Sequence, residues 1–113
     1  MIQSDLPLPP AAFFILFALA EGDKHGYAIM QEARKLSDNS FQIGPATLYT
    51  TIQRLLESNR IKETPGPAGG DSRRRYYRLT SAGKAALHCE LARMEAMVRK
   101  SKTMRLRFGE SSS

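Results

Sequence analysis

One cysteine, two histidines and no tryptophan leave this chain short of the side chains from which most catalytic and metal sites are built. Cys89 cannot close an internal disulfide, and no Cys or His stands at metal-ligand spacing from it, His88 being merely adjacent. With no acid pair in a setting that would perturb its ionisation, an enzymatic reading fares badly, and no cofactor or metal is expected. Long apolar runs are missing as well. The longest, Pro10 to Ala20, falls short of the roughly 18 residues a membrane-spanning helix requires. Asp5 precedes it with no Lys or Arg upstream, so a secretory signal lacks its basic start. The expectation is a protein of the cytoplasm with no membrane partner. Acid is the scarcer charge: eleven Asp and Glu face seventeen Lys and Arg, giving +6 and a pI near 9.8. Such a balance favours polyanionic partners.

What is present reads as one domain, since 113 residues allow a modest core and no second one. From Pro9 to Glu21, Phe13, Phe14, Leu16, Phe17 and Leu19 crowd most faces of a helix, the pattern of a buried element. Glu21, Gly22 and Asp23 supply a turn. A second helix is expected from about His25 to Leu36, with Ile29, Met30, Ala33 and Leu36 on one stripe and the His25 ring in a capping position. Ser37 to Ser40 form a polar break, and Phe41 and Ile43 suggest a very short extended piece. Gly44 then caps a third helix, with Pro45 at its first position. Leu48, Ile52, Leu55 and Leu56 mark its core stripe. At about 3.6 residues per turn, Ala46, Thr47, Thr50, Gln53, Arg54 and Glu57 fall on the opposite face and Tyr49 at the boundary.

Two short strands follow, Arg60 to Thr64 and Arg75 to Leu79, with Ile61, Tyr77 and Leu79 facing inward. The run from Pro65 to Arg74 between them makes a long, flexible, basic hairpin tip. Thr80 caps a final helix, although Gly83 stands where a capping box would place Glu or Gln. In that helix Leu87, Leu91, Met94 and Val98 repeat at four, three and four, the spacing of a coiled-coil seam. Met94, Met97 and Met104 read as packing residues. The expected organisation is a winged helix over 1–80, a dimerisation helix over 81–108 and a disordered tail over 109–113. The fold class is mostly α with a small β component: a winged helix-turn-helix with a two-stranded wing and a C-terminal dimerisation helix.

A helix fits the major groove of B-form DNA, where base edges differ in hydrogen-bonding pattern. The polar face of the third helix is therefore the expected reader. Thr47, Tyr49 and Thr50 can donate to phosphates near its start, and Gln53 and Arg54 can reach bases or backbone. Ser72, Arg73, Arg74 and Arg75 at the hairpin tip supply the flanking contact, in a minor groove or along phosphates. The same fold also serves as a protein-interaction module without specific DNA binding. A basic tip together with an acid-poor reading face favours double-stranded DNA.

Three runs make the sequence similar to a known family: Glu21-Gly22 followed by His25-Gly26-Tyr27, then Gly44-Pro45-Ala46-Thr47-Leu48-Tyr49, then Arg74-Arg75-Tyr76-Tyr77-Arg78-Leu79-Thr80. In this order and spacing they resemble the PadR-like transcriptional regulators, in the subfamily with a short C-terminal helix. The resemblance implies a bacterial repressor that binds a pseudo-palindromic operator as a homodimer, with Tyr27, Thr47 and Tyr49 near the DNA backbone. Some relatives bind flat aromatic drugs between the dimer helices through a tryptophan. This chain has none, so a small-molecule effector, if there is one, is of unknown identity.

Overall fold

The computed structural model describes residues 7–67 and 74–112. Seven elements follow one another: α1 Pro10–Leu19, β1 Lys24–His25, α2 Gly26–Leu36, α3 Pro45–Glu57, β2 Ile61–Thr64, β3 Tyr76–Leu79 and α4 Ser81–Ser112. The sheet has three strands rather than the two expected, in the order β1-β3-β2, all antiparallel. The added strand pairs Lys24 with Tyr77 and His25 with Tyr76. Two residues carry no periodicity, so the sequence pattern held no sign of it. The extended piece expected at Phe41 to Ile43 joins no strand. It serves as an anchor: Ile43 is buried, and Phe41 stacks on Phe14 with ring centroids 5.1 Å apart.

α1 is the centre of the core. It is apolar on most faces and packs against α2, α3, α4 and β3. Ile15, Leu16, Ile29, Leu48 and Ile61 are fully buried, drawn from α1, α2, α3 and β2. Each such side chain contributes about 1.5–3 kcal/mol by leaving water. α2 and α3 end alike. After each, a left-handed backbone turn lets the chain reverse: the amides of Asn39 and Arg60 donate to the carbonyls of Arg34 and Leu55 at 2.8 and 2.9 Å. Asp38, Asn39 and Asn59 hold positive φ there (55°, 65° and 60°), a region that Asn and Asp tolerate better than other side chains. Those turns aim α3 across α2 and feed Arg60 into β2.

The junction of wing and α4 is built on Thr80. Its hydroxyl donates to the Asn59 carbonyl at 2.6 Å and accepts from the Gly83 amide at 3.0 Å, which is the N-cap the sequence promised. A Cβ on Gly83 would overlap the Arg60 carbonyl oxygen. That overlap explains why the capping-box position holds glycine.

α4 is split in its surroundings. Leu87 is buried in the core, and Leu91 and Met94 lie half-buried against it. The carboxylate of Glu90, only 6% exposed, accepts from the Leu8 amide and from Arg93, both at 3.4 Å. From Glu95 to Met104 every residue is exposed, Met97 and Val98 more than half so. The helix continues through 109–112, the stretch that the sequence had suggested as a tail. Its projection beyond the core raises the radius of gyration to 16.6 Å, where a compact chain of this length would have about 13 Å.

Candidate nucleic-acid interface

The exposed side of α3 carries Thr47, Tyr49, Thr50, Gln53 and Arg54 to solvent, as its periodicity required. Leu48, Ile52 and Leu55 hold the opposite side in the core, so the orientation of the polar face is fixed by packing. Gln53 is tied along the helix, its amide donating to the Glu57 carboxylate at 3.3 Å. Gly44 caps the helix through its extended backbone alone, leaving the first-turn amides free of any side-chain cap. Helix starts of this kind favour anions, because the unpaired amides and the peptide dipoles both present positive charge.

At that end the elements converge on an open cavity of about 400 Å³ lined by His25, Gly26, Tyr27, Tyr49, Arg74, Arg75 and Tyr77. Tyr27 comes from the first turn of α2, Tyr49 from α3, the arginines from the entry to β3. Tyr27 and Tyr49 are 60% and 54% exposed, too wet for core aromatics. Gly26 makes the approach possible: a Cβ there would stand 2.7 Å from the Tyr49 hydroxyl. No carboxylate is among these lining residues. A neighbouring cavity of about 400 Å³ shares Arg74 and Arg75 and adds Glu63, Thr64 and Pro65. There Glu63 holds Arg75 in an exposed pair at 3.4 Å.

The third arginine of β3's surroundings is used differently. Arg78 grips Asp23 with two nitrogens, at 2.8 to 3.2 Å, and fastens the turn before β1 to the wing. That grip holds the Asp23 carboxyl below the usual carboxylate range, against an opposing push from burial. Tyr77 faces inward at 4% exposure, and burial, followed by the charge of Glu63, pushes its hydroxyl above the usual tyrosine value.

His25 does what its position suggested and more. Its Nδ1 accepts from the Ala28 amide at 3.3 Å, capping α2. Its Nε2 lies 2.9 Å from Nη1 of Arg74, and its ring meets Tyr76 edge-on at 5.3 Å. Burial first, then the charge of Arg74, hold its pKa below the usual histidine value.

Of the residues expected to face DNA, Tyr27, Tyr49, Arg74 and Arg75 are thus gathered on one cavity, while Thr47, Thr50, Gln53 and Arg54 lie exposed on α3 outside its lining. Ser72 and Arg73 lie outside the described residues. His25, Gly26 and Tyr77 are lining residues that the reading by helix face did not select. The signal that could have found the first two was the run His25-Gly26-Tyr27 itself, in which a glycine separates two polar rings at a helix start.

A buried helical core, an exposed third helix and a basic hairpin beside it define a winged helix-turn-helix protein. The family model described as the transcriptional regulator PadR-like family matches residues 15–89, and the chain belongs to that family of transcriptional regulators. It is 41% identical over 87 residues to an uncharacterized protein of Lysinibacillus sphaericus, spanning 77% of this chain and 80% of that one. It is 34% identical over 85 residues to the transcriptional regulator Rv3488 of Mycobacterium tuberculosis, spanning 75% and 76% of the two chains. Among solved structures, a transcriptional regulator from Clostridium thermocellum aligns with TM-score 0.60 and 32% identity over 80% of this chain and 89% of its own. Bacillus subtilis PadR in complex with operator DNA shares the fold, with TM-score 0.65 and 23% identity over 76% of this chain and 48% of its own. Among the described residues no helix is long and apolar enough to cross a membrane.

Proposed function

We propose that this protein is a repressor that binds a pseudo-palindromic operator as a homodimer, with α3 in the major groove and the wing arginines on flanking phosphates. The observation that carries the reading is the convergence of Tyr27, Tyr49, Arg74 and Arg75 on one carboxylate-free cavity beside the start of α3. Two aromatic hydroxyls and two guanidinium groups are donors, and the one acid at hand, Glu63, meets Arg75 outside the cavity in an exposed pair that a phosphodiester can displace. Beyond it, Thr47, Thr50, Gln53 and Arg54 stand exposed on the helix face that would meet base edges. The operator complex of Bacillus subtilis PadR, which has the same fold, supports the assignment.

Dimerisation falls to the exposed part of α4, where Met97, Val98 and Met104 leave an apolar stripe in water. Two-fold symmetry then places two α3 helices on half-sites about one helical turn apart, or a multiple of it. The test is binding to the promoter of the protein's own gene and to random duplex across a salt titration. Selective binding with a steep salt slope is expected. Equal, weak binding to both would leave electrostatic attraction alone and favour a protein-interaction role.

A further inference from the structure

Two donors claim the single imidazole of His25. The Ala28 amide points at Nδ1 and the Arg74 guanidinium at Nε2, and neither partner can accept a hydrogen bond. A neutral imidazole has one lone pair, so no tautomer satisfies both. If Nδ1 keeps the helix cap, Nε2 carries the ring proton, because the bond at one nitrogen sets the state of the other. Nε2–H and Arg74 Nη1–H are then two donors 2.9 Å apart at the wall of the cavity that Tyr27, Tyr49 and Arg75 also line. An acceptor oxygen placed beside both removes the conflict.

We propose that His25 is a phosphate ligand of the DNA-binding surface, donating from Nε2 beside Arg74 to one phosphodiester while its Nδ1 caps α2. This rests on the DNA-binding reading above, and it adds to that reading a residue whose helix-capping role alone would not predict contact with DNA. A proton linkage follows. The groups facing His25 are Arg74 before β3, the Tyr76 ring on β3, and its chain neighbour Lys24, with Tyr27, Tyr49, Arg75 and Tyr77 around the cavity. None is a carboxylate, so in the free protein nothing anionic favours the imidazolium, and its pKa sits below the usual value. A bound phosphate supplies the missing negative charge and raises it. The capped Nε2–H form holds above the bound pKa, and the proton taken up below it lands on Nδ1 and gives up the Ala28 cap. The complex therefore takes up protons, and affinity rises as pH falls through the interval between the free and bound pKa values.

The test follows the two histidine ring signals by NMR, with and without an operator duplex, His88 on the far helix serving as the internal reference. Expected are an Nε2–H tautomer in the complex above the bound pKa, a His25 pKa that rises on adding duplex, and His88 ring signals that the duplex leaves in place. The variant His25→Asn keeps a capping oxygen but neither the ring reach nor the titration. It should melt close to wild type, bind duplex about tenfold more weakly, as loss of a hydrogen bond to a charged acceptor implies, and show no gain in affinity from about pH 7.5 to about pH 5.5, the range in which histidine titrates. Bound duplex with an unmoved His25 pKa, or an Nδ1–H tautomer in the complex, overturns the proposal and returns His25 to a helix cap. Absence of duplex binding at every pH brings down the DNA reading itself, and this inference with it.

Discussion

Two glycines and two tyrosines show how much a single position decides. Gly83 faces the Arg60 carbonyl with no room for a side-chain carbon, and the obstacle is backbone, which cannot rotate away. Gly83→Ala should therefore lower the unfolding free energy by about 1–3 kcal/mol or more, as overpacking does, measurable by urea denaturation. Gly26 meets only the tip of the Tyr49 side chain, which can swing aside. Gly26→Ala should fold but displace Tyr49 from the cavity, so its cost falls on DNA binding before stability. The tyrosines separate the two effects further. Tyr27 and Tyr49 expose their rings and leave the core to others, so Tyr27→Phe and Tyr49→Phe remove a donor and nothing structural. Each should keep the melting temperature and weaken duplex binding by about tenfold or more, as loss of one hydrogen bond to a charged acceptor implies. Unchanged binding in both would detach the cavity from DNA.

At the scale of elements, the wing is held by the Asp23–Arg78 grip as well as by the β1–β3 pairing. Because Asp23 titrates lower in the folded chain than unfolded, the stability it adds is complete above the unfolded value near pH 4 and is lost as pH falls through the folded one. Asp23→Asn should thus be less stable than wild type at pH 7, and the two should converge in acid. A gap that persists at low pH would assign the loss to something other than this ion pair. β1 also marks the limit of what the sequence disclosed. The helices α1 to α3 were legible because ten to thirteen residues of apolar spacing, with Gly44-Pro45 at one start, leave few alternatives. β2 and β3 were legible from alternation at Ile61, Tyr77 and Leu79. β1 has only two residues and is defined by its partner, and the left-handed turns after α2 and α3 depend on Asn and Asp positions that a polar loop would equally contain. The cavity was half legible: its arginines and tyrosines stood out by type, while the participation of His25 came from β1 bringing it against the residues before β3.

The whole molecule is longer than its core, and the excess is the distal part of α4. From Glu95 to Met104 the helix touches solvent on every side. A helix of this length without a packed face is marginal in water, since fewer than about 12–15 residues do not sustain helicity alone. The seam read from the sequence divides accordingly: Leu87 is spent on the chain's own core, Leu91 and Met94 sit at its edge, and Val98 with the adjacent Met97 is exposed, so the proposed dimer contact falls to these two. Replacing both by charge, Met97→Glu with Val98→Glu, removes no buried contact from the monomer. The single-copy core should therefore survive, while sedimentation at micromolar concentration should shift from dimer to monomer and far-UV circular dichroism should lose the helicity of the projecting segment. Operator affinity should fall more steeply than for any of the single-residue variants above. Two half-sites engaged by one dimer bind with an effective concentration that separate monomers lack, a factor on the order of a hundred or more. A double variant that still sediments as a dimer would place the interface elsewhere, and a wild type that is monomeric at these concentrations would leave the projecting helix for a different partner.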